Sequence, residues 1–178
     1  MVVGDTDQTS AIVPAGPCLA PDLFGIPNIN PATGLSTDYL NHFTEAVMAL
    51  EMVTKMPDCV PDLGAWRPKT YCEHFETSHF TNRNYVIAAY YAAPPQVRED
   101  LNAAAETLNA VLEEARDAIL AQLSSPVANE LAMRAVAWLK PLIVRTAAVI
   151  NGAASLTHED GHCAQAAVDA LFAREQSA

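Results

Sequence analysis

Two pairs of a carboxylate and a histidine have the spacing of ligands to a transition metal. Glu76 and His79 are three positions apart, as are His42 and Glu45, so on a helix each pair shares one face. The Glu-x-x-His unit is the one that carboxylate-bridged di-iron bundles use. These four residues therefore raise the hypothesis of a ferritin-like metal site that binds iron, manganese or zinc and supports oxidoreductase or metal-carrier activity.

A core histidine is the competing interpretation of His79, and the one we favour. A ferritin-like site requires two Glu-x-x-His units and two further glutamates, whereas this chain offers one such unit. His79 falls in the apolar stripe of a predicted helix over 68–92, where an imidazole needs a hydrogen-bond partner. A backbone carbonyl or a tyrosine can supply that partner, so no cofactor is expected unless the metal hypothesis holds.

The remaining motifs do not indicate catalysis. His158 and His162 are four positions apart, but Gly161 between them favours an exposed first helical turn over a rigid zinc-binding helix. The chain has no G-x-S-x-G elbow, P-loop or G-x-G-x-x-G fingerprint. The cysteines are dispersed without a C-x-x-C pair, which favours free thiols: Cys18, Cys59, Cys72 and Cys163. No catalytic residue is predicted, and a non-enzymatic protein is the favoured interpretation.

Two further groups could bind a ligand or a partner. Arg134 and Arg145 lie on one edge of a predicted helix beside Trp138, where they could hold a carboxylate or a phosphate. Elsewhere, four residues make the end of the 68–92 helix apolar on nearly every side, which a surface helix does not need. We interpret them as a self-association interface in preference to a ligand pocket: Tyr85, Ile87, Tyr90 and Tyr91.

The elements that must position these residues are helices, and the clearest is predicted from Pro95 to Ser124. Its apolar residues recur at three- and four-residue steps and form one stripe: Leu101, Ala104, Ala105, Leu108, Val111, Leu112, Ala115, Ile119 and Leu123. Asn102, Glu106, Asn109, Glu113 and Arg116 take the opposite side. An amphipathic helix of this length requires apolar partners, which the rest of the chain must supply.

The other helices are predicted from similar patterns. One begins near Ser36 or Thr37 and ends at Pro57, one covers 68–92 with a break allowed near Thr81, one begins at Pro126, and one covers 158–175. The fold class expected is all-α, a four- to five-helix, mostly antiparallel bundle. Residues 36–178 form its single domain, and residues 1–35, rich in proline and glycine, form an extended N-terminal arm.

Composition limits the classes of partner. With a formal charge of −11 and only ten Lys and Arg residues, the chain is poorly suited to nucleic acid or to an anionic membrane surface. The N-terminus lacks the pattern of a signal peptide. The favoured function is a cytoplasmic, non-enzymatic helical bundle that acts through protein–protein contacts, with regulation as one role, as a homo-oligomer or with another protein. The alternatives are the metal-binding bundle and a bundle that binds a small anionic ligand.

Overall fold

The computed structural model describes residues 28–124 and 126–153, and within these ranges the protein is all-α. It contains six helices in the described part of the chain, more than the four or five predicted for the whole. The helices are α1 (Leu40–Val53), α2 (Val60–Ala65), α3 (Tyr71–Thr77), α4 (Arg83–Ala92), α5 (Pro95–Ala121) and α6 (Pro126–Ile150).

The long helix α5 forms the centre of the described core, as its apolar period predicts. Eight of its nine predicted stripe residues are buried, and the ninth, Leu123, lies just beyond the helix and packs against the core. α5 packs along α6, and α6 in turn packs on α1. One polar position differs from the prediction, because Arg116 is buried: its guanidinium donates to the carbonyl of Trp66 and pairs with Asp117.

The segment before α1 is a tight turn. Residues 28–36 fold back on themselves, with an isolated antiparallel bridge between Ile29 and Ser36, and Gly34 adopts a φ of 73°. Ser36 then caps one turn of 3₁₀ helix (Thr37–Tyr39), its hydroxyl accepting from the N–H of Asp38. The capped start predicted at Ser36 is therefore present, and the turn holds Tyr39 in the core.

The predicted helix over 68–92 is two helices, with the break near Thr81 that the sequence allowed. α3 ends at Thr77, where the Ser78 hydroxyl bonds the carbonyl of Phe75 and accepts from the N–H of Phe80. These side-chain bonds replace the helical ladder and turn the chain. His79 consequently lies in the connection between α3 and α4 and is exposed, so its predicted place in the apolar stripe is wrong.

α6 continues through Pro141 and ends at Ile150. Gly152 follows with a φ of +70° and donates its N–H to the carbonyl of Val149, as expected for a glycine that terminates a helix. The Thr33 hydroxyl donates to the carbonyl of Ile150 at 2.5 Å. This bond joins the end of α6 to the turn that precedes α1.

Several predictions lie outside the described residues. They concern the first 27 positions of the N-terminal arm, the final helix over 158–175, and the histidine pair His158 and His162. Within the described residues, no helix has the length and the apolar character that crossing a membrane requires.

Candidate functional site

An aromatic cluster joins α1 to α3 and α4, with the buried ring of Tyr39 at its centre. Tyr39 makes edge contacts with Tyr71 and Phe43, at centroid distances of 5.2 and 5.1 Å. Tyr71 stacks in turn on Tyr90 of α4, with centroids 5.0 Å apart. Such contacts fix ring orientation as well as burying area. The cluster therefore forms a rigid base on which polar groups can be held in place.

A cleft of about 340 Å³ opens beside this cluster, between α3, α4 and α5. Its volume is at the lower end of the range for small-molecule sites. Tyrosines and a cysteine line one side, and a stripe of α5 lines the other. The lining residues are Tyr39, Thr70, Tyr71, Cys72, Tyr90, Tyr91, Arg98, Asn102, Ala105, Glu106 and Asn109.

Unpartnered polar atoms are concentrated in this cleft. Within residues 28–124 and 126–153, three buried side-chain nitrogen or oxygen atoms have no hydrogen-bond partner: Nε of Arg98, Oδ1 of Asn109 and Nε2 of His42. The first two belong to residues that line the cleft. A buried donor or acceptor without a partner costs about 1–3 kcal/mol, and charged groups cost more. Two residues that line the cleft therefore each contain a buried polar atom without a protein partner, one a donor and one an acceptor.

Backbone hydrogen bonds hold the tyrosine side of the cleft. The phenol oxygen of Tyr71 accepts from the N–H of Ser36 at 2.8 Å, and the Tyr39 hydroxyl donates to the carbonyl of Lys69 at 2.8 Å. A capping box begins α3: the Glu73 carboxylate accepts from the N–H of Thr70 at 2.8 Å, and the Thr70 hydroxyl accepts from the N–H of Glu73. These bonds fix the backbone that carries Tyr71 and Cys72.

The outer edge of the cleft contains a thiol and two further tyrosines. The Tyr90 hydroxyl donates to Oδ1 of Asn102 at 3.0 Å, which joins α4 to α5. Tyr91 hydrogen-bonds the Cys72 thiol, and burial raises the pKa of that thiol despite the bond. A raised pKa keeps Cys72 protonated near neutral pH, where it is a weak nucleophile. Among the described residues, Cys59 and Cys72 are free thiols, as predicted.

The third unpartnered atom, Nε2 of His42, belongs to a ring that contacts Tyr39. His42 is 5% exposed and stacks on Trp66, with centroids 5.1 Å apart and planes at 21°. The Trp66 indole N–H donates to the carbonyl of His42 at 3.2 Å. Burial, followed by the neighbouring charges of His74 and Lys69, lowers the pKa of His42 to about 4. His42 is therefore a neutral imidazole within the aromatic cluster at physiological pH.

The structure does not bring together the four residues of the metal hypothesis. His42 is buried, whereas Glu45, Glu76 and His79 are all exposed. Glu76 and His79 also do not share a helix, because α3 ends between them. Within the described residues, no three side chains of histidine, cysteine, aspartate or glutamate form a group that could hold a metal ion.

The other predicted groups are partly separated. On α6, Trp138 is 42% exposed, Arg134 is half-buried and Arg145 is exposed, and the cleft beside Tyr71 is lined by other residues. Of the four proposed interface residues, two are exposed and two are half-buried against the core; the exposed pair is Tyr85 and Tyr91, and the half-buried pair is Ile87 and Tyr90. Tyr90 and Tyr91 also line the cleft, so the four proposed interface residues do not form a surface separate from the cleft.

Sequence reasoning did not select the α5 side of the cleft. Arg98, Asn102, Glu106 and Asn109 are spaced at four, four and three positions, which places them on one stripe of the helix. The apolar period of the helix predicts that Asn102, Glu106 and Asn109 lie on its solvent side, and it makes no prediction for Arg98. The signal that could have found them is the same spacing combined with the apolar excess of α4, which requires a neighbour.

Comparisons with family models, curated proteins and solved structures found no match to this chain.

Proposed function

We propose that this protein binds a small organic ligand with an anionic group in the cleft between α3, α4 and α5. The observation that carries the proposal is the pair of unpartnered buried atoms, Arg98 Nε and Asn109 Oδ1, in residues that line one cleft. The proposal keeps the anionic ligand anticipated from the sequence, but moves its anchor from Arg134 and Arg145 to Arg98.

The chemistry of the lining supports an aromatic anion. A guanidinium binds a carboxylate through charge-assisted hydrogen bonds that neutral donors do not match in strength. Arg98 makes no side-chain hydrogen bond or ion pair with another described residue, so it is available for such a contact. The tyrosines opposite, held by the stacked pair Tyr71 and Tyr90, offer ring faces and edges to a flat apolar body.

Chemical-shift mapping tests the site directly. The probe is para-ethylphenylacetate, added to the isotope-labelled full chain. We expect the largest amide shifts in the segments that line the cleft, at positions 70–72, 90–91 and 98–109, and small shifts along α6. Shifts centred on α6 around Arg134, or no saturable shifts at millimolar probe, would contradict the proposal.

Self-association is a second candidate, supported by the methionines. All four methionines of the described residues are exposed: Met48 at 53%, Met52 at 37%, Met56 at 47% and Met133 at 61%. Methionine is among the residues most often buried, and methionine-rich surfaces are typical of adaptable binding sites. A shallow groove of about 370 Å³ between α1 and α6 includes Met133. A second copy of this chain is the partner we propose for this surface.

Sedimentation velocity tests this second candidate. The expected result is a dimer that the double variant Met48→Gln, Met133→Gln converts to a monomer, whereas the matched variant Val144→Gln, also at an exposed apolar site on α6, leaves it intact. Val144 is 68% exposed, so its replacement does not disturb the core. Weak dimers form at protein concentrations of about 0.1 mM. A wild-type protein that is still monomeric at this concentration would contradict self-association.

The finer features predicted from the sequence remain proposals. They are the single mostly antiparallel bundle over 36–178, the extended arm over 1–35, and a cytoplasmic, non-enzymatic protein. Contacts at both ends of α1 support the antiparallel arrangement: Thr33 bonds Ile150 near its start, and Thr54 bonds Asn129 at its end. The metal-binding alternative has no support from the geometry of the four residues on which it was based.

A further inference from the structure

We infer that the ligand of this cleft is a zwitterion with separated charges, in which a cationic group lies at the end opposite the carboxylate. The inference rests on the proposed function and names the class of ligand. It follows from the order of polar groups along α5. Arg98, whose guanidinium is a donor, lies near the start of α5. Glu106 and Asn109, whose side-chain oxygens are acceptors, follow about two to three helical turns later.

The acceptor end also contains a buried atom without a partner. Oδ1 of Asn109 is buried without a partner, and Glu106, three positions before it on the same face, makes no ion pair with another described residue. A carboxylate and an amide oxygen together bind an ammonium group, which has three donors and no acceptor. An anion without a donor would satisfy Arg98 and leave Asn109 unpartnered.

Helix geometry sets the spacing of the two ligand charges. Arg98 and Glu106 are eight residues apart, so their Cα atoms are separated by about 12 Å along the axis. The two charged groups of the ligand are therefore expected at separate ends of the cleft. An α-amino acid, with both charges on one carbon, cannot place them at separate ends. A flat ring between carboxylate and ammonium separates the two charges and fits against the tyrosines.

Net charge favours the same class. The chain carries a formal charge of −11, which repels a simple anion as it approaches. A zwitterion has no net charge and avoids this repulsion, while each of its ends gains an opposite charge within the cleft. One arginine and one glutamate in the lining match such a ligand charge for charge.

The test compares two probes that differ in one group, para-(aminomethyl)phenylacetate and para-ethylphenylacetate, by isothermal titration calorimetry. We expect the aminomethyl compound to bind about tenfold more tightly to the wild-type protein. In Glu106→Gln this preference falls to about twofold or less. The matched control Glu114→Gln, an exposed glutamate on α5 outside the cleft lining, keeps the full preference.

The experiment distinguishes failure of the zwitterion inference from failure of the proposed function. Equal affinity for the two probes in the wild-type protein, or a preference that survives Glu106→Gln, overturns the zwitterion inference and leaves the proposed function standing. Binding of neither probe overturns both. Tighter binding of the ethyl compound would show that the acceptor end of the cleft repels the ammonium group, and this also overturns the inference.

Discussion

The phenol oxygen of Tyr71 accepts a hydrogen bond from the backbone N–H of Ser36 at 2.8 Å, and both residues are buried. This bond joins the turn before α1 to the wall of the cleft. Ser36 also caps the 3₁₀ turn that places Tyr39 under the same wall. The local turn and the candidate binding site are therefore parts of one structural unit.

Replacing Tyr71 with phenylalanine should separate the hydrogen bond from ring packing. Tyr71→Phe keeps the stacking on Tyr90 but leaves the buried N–H of Ser36 without its acceptor. We expect a loss of about 1–3 kcal/mol in the free energy of unfolding, measured by urea denaturation. Tyr85→Phe, at an exposed site, is the control and should cost less than about 0.5 kcal/mol. Equal effects of the two substitutions would show that the Tyr71 bond contributes nothing specific.

His42 should make the protein acid-sensitive. Its pKa is about 4 in the folded protein, against an ordinary value of 6.5, so the unfolded chain binds the proton more tightly. The contribution is complete above pH 6.5 and is lost as pH falls from 6.5 towards 4. Allowing for partial screening by solvent, it is about 2 kcal/mol.

The substitution His42→Phe provides the measurement, because phenylalanine keeps a flat ring against Trp66 and does not titrate. The difference in unfolding free energy between the wild-type protein and this variant should change by about 2 kcal/mol, in favour of the variant, between pH 7 and pH 4. Carboxylates titrate in both proteins and cancel in the difference. A difference that does not depend on pH would contradict a neutral, buried His42. His74, whose pKa burial also lowers, contributes with the carboxylates to the acid sensitivity that remains in the variant.

Two glycines should respond oppositely to the same substitution. Gly152 has a φ of +70°, and a Cβ at this position would lie 3.3 Å from Cγ2 of Thr33. Gly152→Ala should therefore lower stability by about 1 kcal/mol. Gly64 lies within α2, and a Cβ there has no heavy atom within 4 Å, so Gly64→Ala should raise stability by about 0.5–1 kcal/mol. Thermal unfolding of both variants gives the comparison, and two changes of the same sign would contradict it.

The sequence predicted those features of the fold that depend on local periodicity. The stripe of α5 and the cap at Ser36 are determined by residues close together in the chain, and both are present. His79 was placed wrongly because the Ser78 side chain ends α3, and a helical period does not register such competition for backbone bonds.

The candidate site was harder to predict because it depends on contacts between distant segments. The Tyr71–Ser36 bond spans 35 positions, and the Tyr39–Lys69 bond spans 30. A polar stripe on a helix is usually solvated, so Asn109 gave no sign of a buried, unpartnered oxygen. Only the position of α4 beside α5 distinguishes a cleft from an exposed face.

The most direct test of ligand binding is a double comparison at Arg98. Isothermal titration calorimetry would measure para-ethylphenylacetate and its neutral primary amide against the wild-type protein, Arg98→Met and the control Arg134→Met on α6. The account predicts that the carboxylate binds the wild-type protein and Arg134→Met about 10- to 100-fold more tightly than the amide does, and that Arg98→Met abolishes this preference. A carboxylate preference that persists in Arg98→Met, or that is lost in Arg134→Met instead, would contradict a binding site at this cleft.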